Sequence, residues 1–312
     1  MTPLFRSISC LPFLIGASFV AAPAEASIVG LGPAADYGIY TLGDYTAAGG
    51  GLQGDVAVGG NLSIGSFGLQ GGIVVQGDAT LGHGSISGSV QVAGTYTAPA
   101  YFPANSYSST AGLPVDFAGL GSHLIAQSAY LASLAGTGQV NVASGNLTLV
   151  GSGAATGIEI FNLTSAQLAA STSLSIMANP GQTVIVNVSG PSASITGGMS
   201  LTGVGASHVL LNFSDAQTLT ISNISVSASL LAPNAAVNFT SGNKDGTLIA
   251  GRLTSGHIGM TDTTFQGVLP SAAPPAPPAT PTPEPATLAM AGTGLLLLGC
   301  RRFRRKNRAM GA

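Results

Sequence analysis

The sequence predicts a mostly β protein: a parallel β-solenoid of about 17-residue coils with one flanking α-helix, followed by a C-terminal transmembrane segment. Three observations carry that expectation. Glycines recur at a fixed seventeen-residue step early in the chain. One later stretch has helical apolar spacing. The last thirty residues hold a short apolar run closed by basic side chains.

Taken in order, the chain opens like a secretory leader. Arg6 supplies a basic n-region and residues 11–22 an apolar h-region, interrupted by Pro12 and followed by Pro23. Ala24-Glu25-Ala26 then offers a small-x-small cleavage site, so residues 1–26 are read as a signal peptide cut after Ala26. Cys10 lies too early for a lipoprotein cysteine, and Cys300 belongs to the tail. The stretch 27–269 therefore has no cysteine, which excludes a disulfide, a thiol nucleophile or a cysteine-ligated metal there.

The repeat comes next. Gly43, Gly60, Gly77 and Gly94 are seventeen residues apart, each preceded at −4 by Ile39, Val56, Ile73 or Val90 and at −2 by Thr41, Val58, Val75 or Val92. A polar residue follows each glycine (Asp44, Asn61, Asp78, Thr95), and a hydroxyl comes two further on: Thr46, Ser63, Thr80 and Thr97. One coil cannot bury its own apolar face, so a constant period means coils stacked on neighbours. Alternation points the side chains that precede each glycine inward, together with Ile64 and Leu81, and points the hydroxyls outward. The glycines are expected to turn a corner at positive φ. A β-sandwich does not hold one period through four copies.

The period then breaks. Phe117, Leu120, Leu124, Ile125, Leu131 and Leu134 have helical spacing, with Pro114 and Asp116 at the start and Gly136 at the end. This helix is expected to lie along the solenoid over an apolar side. Short strands follow at 139–142, 146–150, 157–162, 183–188, 208–213, 219–221, 228–231, 237–240 and 246–250. How these pair with the first coils is not legible in the sequence.

Between residues 27 and 270 the acidic side chains are Asp36, Asp44, Asp55, Asp78, Asp116, Glu159, Asp215, Asp245 and Asp262, against Lys244 and Arg252, a net charge of −7. That balance excludes nucleic acid as a partner, because phosphate binding needs clustered cations. Charged residues make up 6% of the chain, against about 25% in ordinary globular proteins.

Residues 270–285 hold eight prolines in sixteen positions and read as an extended linker. It ends in Pro283-Glu284-Pro285. The apolar run 286–300 follows as the transmembrane segment. Residues 301–312, with Arg301, Arg302, Arg304, Arg305, Lys306 and Arg308, form a basic cytoplasmic tail whose arginines stop translocation. This order of parts resembles the PEP-CTERM sorting signal of Gram-negative bacteria. The resemblance implies export, a transient stay in the inner membrane, and processing by an exosortase before release to the cell surface or extracellular matrix.

The folded stretch carries a second resemblance. Residues 40–46 (YTLGDYT) and 53–61 (QGDVAVGGN), with the later segments 209–213, 230–237 and 246–251, resemble the choice-of-anchor A domain across residues 28–269. That resemblance implies an adhesive, surface-displayed domain. No catalytic residues or cofactors are established for it.

Asp44, Asn61 and Asp78 stack one coil apart, about 4.8 Å, where oxygens can share a hard cation; the competing reading is a corner residue capping its own turn. His83, His123, His208 and His257 have no metal-ligand spacing. Asp55 and Asp78 could share a face, but a β-helix lyase or glycosidase needs clustered carboxylates with cations nearby. The expectation is a non-enzyme: a structural or adhesive protein of the cell envelope or biofilm matrix, with extracellular polysaccharide or surface components as partners. The alternative is a ligand-binding solenoid, for glycan or ice, using the ladder of Thr46, Ser63, Thr80 and Thr97.

Overall fold

The computed structural model describes residues 30–102, 107–109, 112–261 and 263–270. A 3-10 turn at Gly32–Asp36 leads into β1 (Tyr37–Thr41), β2 (Tyr45–Gln53), β3 (Asp55–Val58), β4 (Leu62–Gln70), β5 (Ile73–Val75), β6 (Ala79–Ile86), β7 (Val90–Val92), β8 (Tyr96–Thr97) and β9 (Tyr107–Ser109). Alternate strands stack in parallel, β1-β3-β5-β7-β9 on one face and β2-β4-β6-β8 on the next. The register is the sequence period: Ile39 faces Val56, then Ile73, then Val90, all buried. Leu52 and Leu69, at the ends of β2 and β4, stack inward on a third face.

The corner glycines serve a different purpose from the one expected. Gly43, Gly60, Gly77 and Gly94 are not among the positive-φ residues. A Cβ on Gly60 would sit 2.4 Å from Asp44 Oδ1, one on Gly77 2.4 Å from Asn61 Oδ1, and one on Gly94 2.5 Å from Asp78 Oδ1. Glycine here makes room for the side chain of the coil before it, a close approach rather than a left-handed turn.

The helix α1 (Phe117–Ala132) is capped by Asp116, whose carboxylate accepts from the Gly119 amide at 3.1 Å. It ends before Gly136, because the chain is drawn into the sheet: Thr137 and Gly138 both donate to the Ile160 carbonyl. Then come β10 (Gln139–Ala143), β11 (Asn146–Val150), β12 (Gly157–Thr164), α2 (Ser165–Ala169), β13 (Ser173–Met177), β14 (Gln182–Ser189), β15 (Ser192–Ile195), β16 (Gly198–Thr202), β17 (Val209–Asn212), β18 (Thr218–Ile221), β19 (Val226–Ser227), β20 (Ser229–Asp245) and β21 (Leu248–Met260). The segments expected at 228–231 and 237–240 are one bent strand, β20, and β21 runs well beyond residue 250. The strands β13, β15 and β16 and the short helix α2 were not anticipated.

The later coils start at the far end of the solenoid. β12, β14, β17, β20 and β21 stack in parallel, and β21 closes onto β1 through Ile39 with Leu248, Tyr40 with Ile249 and Thr41 with Ala250. The chain thus begins in the middle, builds to one end, returns along α1 and builds back. Coils shorten toward the closure: Asn162, Asn187 and Asn212 are evenly spaced in sequence, Leu231 follows sooner, and Ile249 sooner still.

One core fills the coil interior; a second lies between α1 and the sheet, where Phe117, Leu120, Leu124 and Leu131 cover Tyr40, Ile185, Leu210 and Ile249. Tyr40 stacks on Phe117 with ring centroids 5.5 Å apart. At the far end a ladder of asparagines docks the helix. Asn212 donates to the Ser128 carbonyl at 2.9 Å, Asn187 to that of Leu131 at 2.8 Å, and Asn162 to that of Leu134 at 3.0 Å. Each amide also links to the next, Asn212 to Asn187 and Asn187 to Asn162, both at 2.9 Å. Three helical residues rise about 4.5 Å, close to the roughly 4.8 Å between coils, so one asparagine per coil meets every third carbonyl.

Among the described residues no helix is long and apolar enough to cross a membrane; the span expected at 286–300 lies outside them. Replacing Asn187 by Ala removes the middle rung: an Asn212 N–H loses its acceptor and Asn162 Oδ1 its donor, while the Leu131 carbonyl keeps the Leu134 amide. We expect urea denaturation to report a loss of about 3 kcal/mol, since each buried unsatisfied group costs roughly 1–3 kcal/mol. A loss below about 0.5 kcal/mol would show that the ladder does not hold the helix.

Candidate binding face

The second face of the solenoid positions the predicted hydroxyls. Within β2, β4 and β6 the inward residues are Tyr45 and Ala47, Leu62 and Ile64, Ala79 and Leu81, all buried. Alternation therefore turns Thr46, Ser63 and Thr80 to solvent, with Thr97 of β8 continuing the column. The β21 closure doubles this ladder. Thr46 pairs with Thr254, Thr254 with Asn238, Asn238 with Thr220 and Thr220 with Ser194. Eight outward polar side chains thus run in register along one parallel face. Ser194 and Thr220 are half-buried and the rest exposed. Only the N-terminal four were found by period. The local signal in three of the others is a polar residue between two apolar ones, as in Ala193-Ser194-Ile195 and Leu219-Thr220-Ile221, repeated at unequal spacing; Thr254 lies between Leu253 and Ser255 and lacks it.

The residues on one side of this column are small: Ala48, Gly65, Gly82 and Gly256. On the other side run Arg252, Asp44, Asn61, Asp78 and Thr95. Their corner is an internal hydrogen-bond ladder. Asp44 Oδ1 accepts from the Asn61 amide at 2.7 Å, Asn61 Oδ1 from that of Asp78 at 2.9 Å, and Asp78 Oδ1 from that of Thr95 at 2.7 Å. Each side chain caps the backbone of the next coil, not its own turn. Among the described residues no group of three His, Cys, Asp or Glu side chains is placed to hold a metal ion.

Asp55 does not meet Asp78. It lies at the opposite end of the first face, accepting from the Gly72 amide at 2.6 Å. The histidines are apart: His83 stacks on Tyr101, His123 bonds the Gly30 carbonyl, His208 contacts Ser207, and His257 pairs across from Gly49. Ala24, Ala26, Pro283, Glu284, Pro285, Arg301, Arg302, Arg304 and Arg305 lie outside the described residues. A cavity opens on the third face, lined by Gly51, Gln53, Gly68, Gln70, Ser85 and Ser87.

Among the described residues two ionisable groups are buried, Glu159 and Lys244. Glu159 accepts from the Thr137 hydroxyl at 2.9 Å, from the Ser152 amide and hydroxyl, and from Gln182 at 3.0 Å. Burial opposes its charge, but these donors together hold the carboxyl below its usual range. Lys244 is fully buried, and its ammonium donates to the carbonyls of Ala228, of Asp245 at 2.6 Å and of Gly246 at 3.0 Å. Lys244 ties coil backbones together, and Glu159 ties together the side chains of Thr137, Ser152 and Gln182.

The fold is a parallel β-solenoid with a polar column on one face, and sequence comparison gives its family. Residues 30–261 match the family described as "Putative Ice-binding-like adhesive domain", and the chain belongs to that family. Residues 281–306 match the PEP-CTERM protein-sorting motif, which implies exosortase processing. No curated protein matches the sequence. Distant likenesses exist among solved structures. An ice-binding protein from the Antarctic ascomycete Antarctomyces psychrotrophicus is 14% identical over 78% of this chain and 100% of its own, with a TM-score of 0.37. The DUF3494 domain of Shewanella frigidimarina ice-binding protein 1 is 16% identical over 77% and 98%, with a TM-score of 0.39.

Burial pulls the Lys244 pKa down to about 7, while in the unfolded chain it is about 10.4. Between those values the unfolded state holds a proton that the folded state lacks, so stability rises with pH. From pH 7 to 9, below the range where tyrosines ionise, the parent should gain stability relative to Lys244→Met, at up to about 1.4 kcal/mol per pH unit. Urea midpoints of both proteins across that window check it; a constant difference would refute the shift.

Proposed function

We propose that this is an exported, surface-associated adhesive protein of the cell envelope or biofilm matrix, binding a repeating hydroxylated surface through the flat face of Thr46, Ser63, Thr80, Thr97 and their four partners. The eight-rung register carries this reading. A column of short side chains at one spacing makes many weak, equivalent contacts and suits an extended polymer rather than a small molecule. The adjoining Asp44, Asp78 and Arg252 favour a hydrated polysaccharide, because charged groups keep their water. Ice is the second reading. It is supported by the family's description and by the regular spacing of the column. The likeness of residues 28–269 to choice-of-anchor A domains is the finer family reading, and it supports display through an interchangeable anchor.

Binding is tested with mature protein on the producing strain's matrix polysaccharide and, separately, by thermal hysteresis. Ser63→Tyr with Thr80→Tyr raises two bulky rings from the flat face. Affinity for the polymer should fall roughly tenfold or more, about 1.4 kcal/mol per decade, with the melting temperature unchanged. Hysteresis abolished by the same pair, without polymer binding in the parent, would favour ice; loss of neither would remove this face from the function.

For the tail, the reading is transient anchoring by residues 286–300 and cleavage near Pro283-Glu284-Pro285, in the inner membrane of a Gram-negative cell. Fifteen residues span only about 22 Å as a helix, short of a roughly 30 Å hydrocarbon core. Mass spectrometry of the surface form should find a C-terminus near that motif. An intact basic tail carrying Arg301 to Arg305 would overturn processing.

A further inference from the structure

The end of the solenoid where the later coils begin is finished by β10, which runs antiparallel to β11 and forms the outer strand of a four-stranded sheet. The hairpin turn fixes the arrangement. Ser144 and Gly145 both have positive φ, 50° and 77°, so the two-residue turn is of type I′. Ala143 and Asn146 then form the hydrogen-bonded pair beside the turn. Alternation makes Asn141 with Thr148 the next such pair, so the N–H and C=O groups of Val140 and Val142 point away from β11. No strand lies on that side among the described residues.

Among the described residues neither charge nor proline protects this edge. Edge strands are normally blunted by charge, proline or a covering element. Here residues 133–158 contain no Asp, Glu, Lys, Arg, His or Pro. Val142 points to the core side yet remains 51% exposed, because the sheet stops there. A domain of net charge −7 thus has one neutral end with an open backbone edge and an uncovered apolar side chain.

We propose that this edge pairs with the same edge of a second copy, forming a two-fold dimer with a continuous eight-stranded sheet. The sequence of β10 identifies the partner, because its centre, Val140-Asn141-Val142, reads the same in both directions. Centring the two-fold on Asn141 sets Val140 against Val142 of the second copy, and the reverse. The outward backbone groups are those of Val140 and Val142, so two hydrogen-bonded pairs form. Asn141 meets its own copy at the closer, non-hydrogen-bonded position, where two amides bond to each other. The valines of both copies meet on the core side and cover the exposed Val142 surface. A two-fold contact uses the same patch on both partners, and a neutral end lets two acidic domains approach. Dimers would also present two hydroxyl faces, adding avidity on a polymer.

The test uses the full chain with Cys10→Ser and Cys300→Ser, so an introduced thiol is the only one. Asn141→Cys should oxidise to a covalent dimer well before the exposed control Thr46→Cys, because facing non-hydrogen-bonded positions bring Cβ atoms within disulfide range. By sedimentation, Val142→Lys should weaken dimerisation at least tenfold, about 1.4 kcal/mol, with an unchanged melting temperature. If Val142→Lys alters folding, Asn141→Lys, on the opposite sheet surface, sets two like charges face to face and should do the same. Crosslinking no faster than the control, a monomeric parent, or dimers that survive both lysines would each overturn the proposal. None of these readouts depends on the hydroxyl face binding anything.

Discussion

Everything in this molecule depends on the pairing of β21 with β1 and β2. That contact joins the last coil to the first, so the two halves of the chain become one stack with continuous ladders. It also imposes a distance. From Tyr40 to Asn162 the ladder passes Ile249, Leu231, Asn212 and Asn187, five steps of about 4.8 Å, or roughly 24 Å. The path from Phe117 against Tyr40 to the Leu134 carbonyl against Asn162 spans seventeen residues, about 25 Å at helical rise. The helix is therefore a strut of the right length, and the asparagine ladder exists because the two repeats nearly match.

The same repeat lets a chain so poor in charge satisfy its buried polar groups. In a stack each coil offers the next a set of backbone donors and acceptors at fixed spacing, and short side chains reach them. Asp44, Asn61 and Asp78 do this at one corner, Asp55 at another, and the asparagines beneath the helix. Glycine at 60, 77 and 94 follows from it, because the capping oxygen occupies the space a Cβ would need. Lys244 and Glu159 extend the device to buried charges, which are held by carbonyls and neutral donors rather than by ion pairs. At the acidic corner the Oδ1 atoms of Asp44, Asn61 and Asp78 are each committed to a backbone amide of the next coil.

The binding face is a consequence of closure as much as of composition. Four hydroxyls at one end of a solenoid make a short strip; eight polar residues across the joined halves make a surface. Equal spacing along it comes from backbone hydrogen bonding, which holds coils at one distance although those of the second half are longer and unequal. The extra residues of the longer coils go into α2, the turns and the third face, and leave the hydroxyl column undisturbed.

The sequence by itself determined what repeats locally. The inward column of Ile39, Val56, Ile73 and Val90, the outward Thr46, Ser63 and Thr80, and the amphipathic helix with its Asp116 cap are all set by period and alternation, which act over a few residues. Positions lost to the reading were those whose reason lies elsewhere in the chain. Gly60 looks like a turn glycine until Asp44 stands beside it, and Asn187 looks like a strand polar residue until Leu131 lies above it. Thr254 and Asn238 could not be joined to Thr46, because the unequal coils that carry them break the period that found the first four. Only the tertiary structure decided that the chain starts in the middle of its own stack. Pairing of β21 with β1 is a contact between opposite ends of the folded stretch, and no local pattern encodes it.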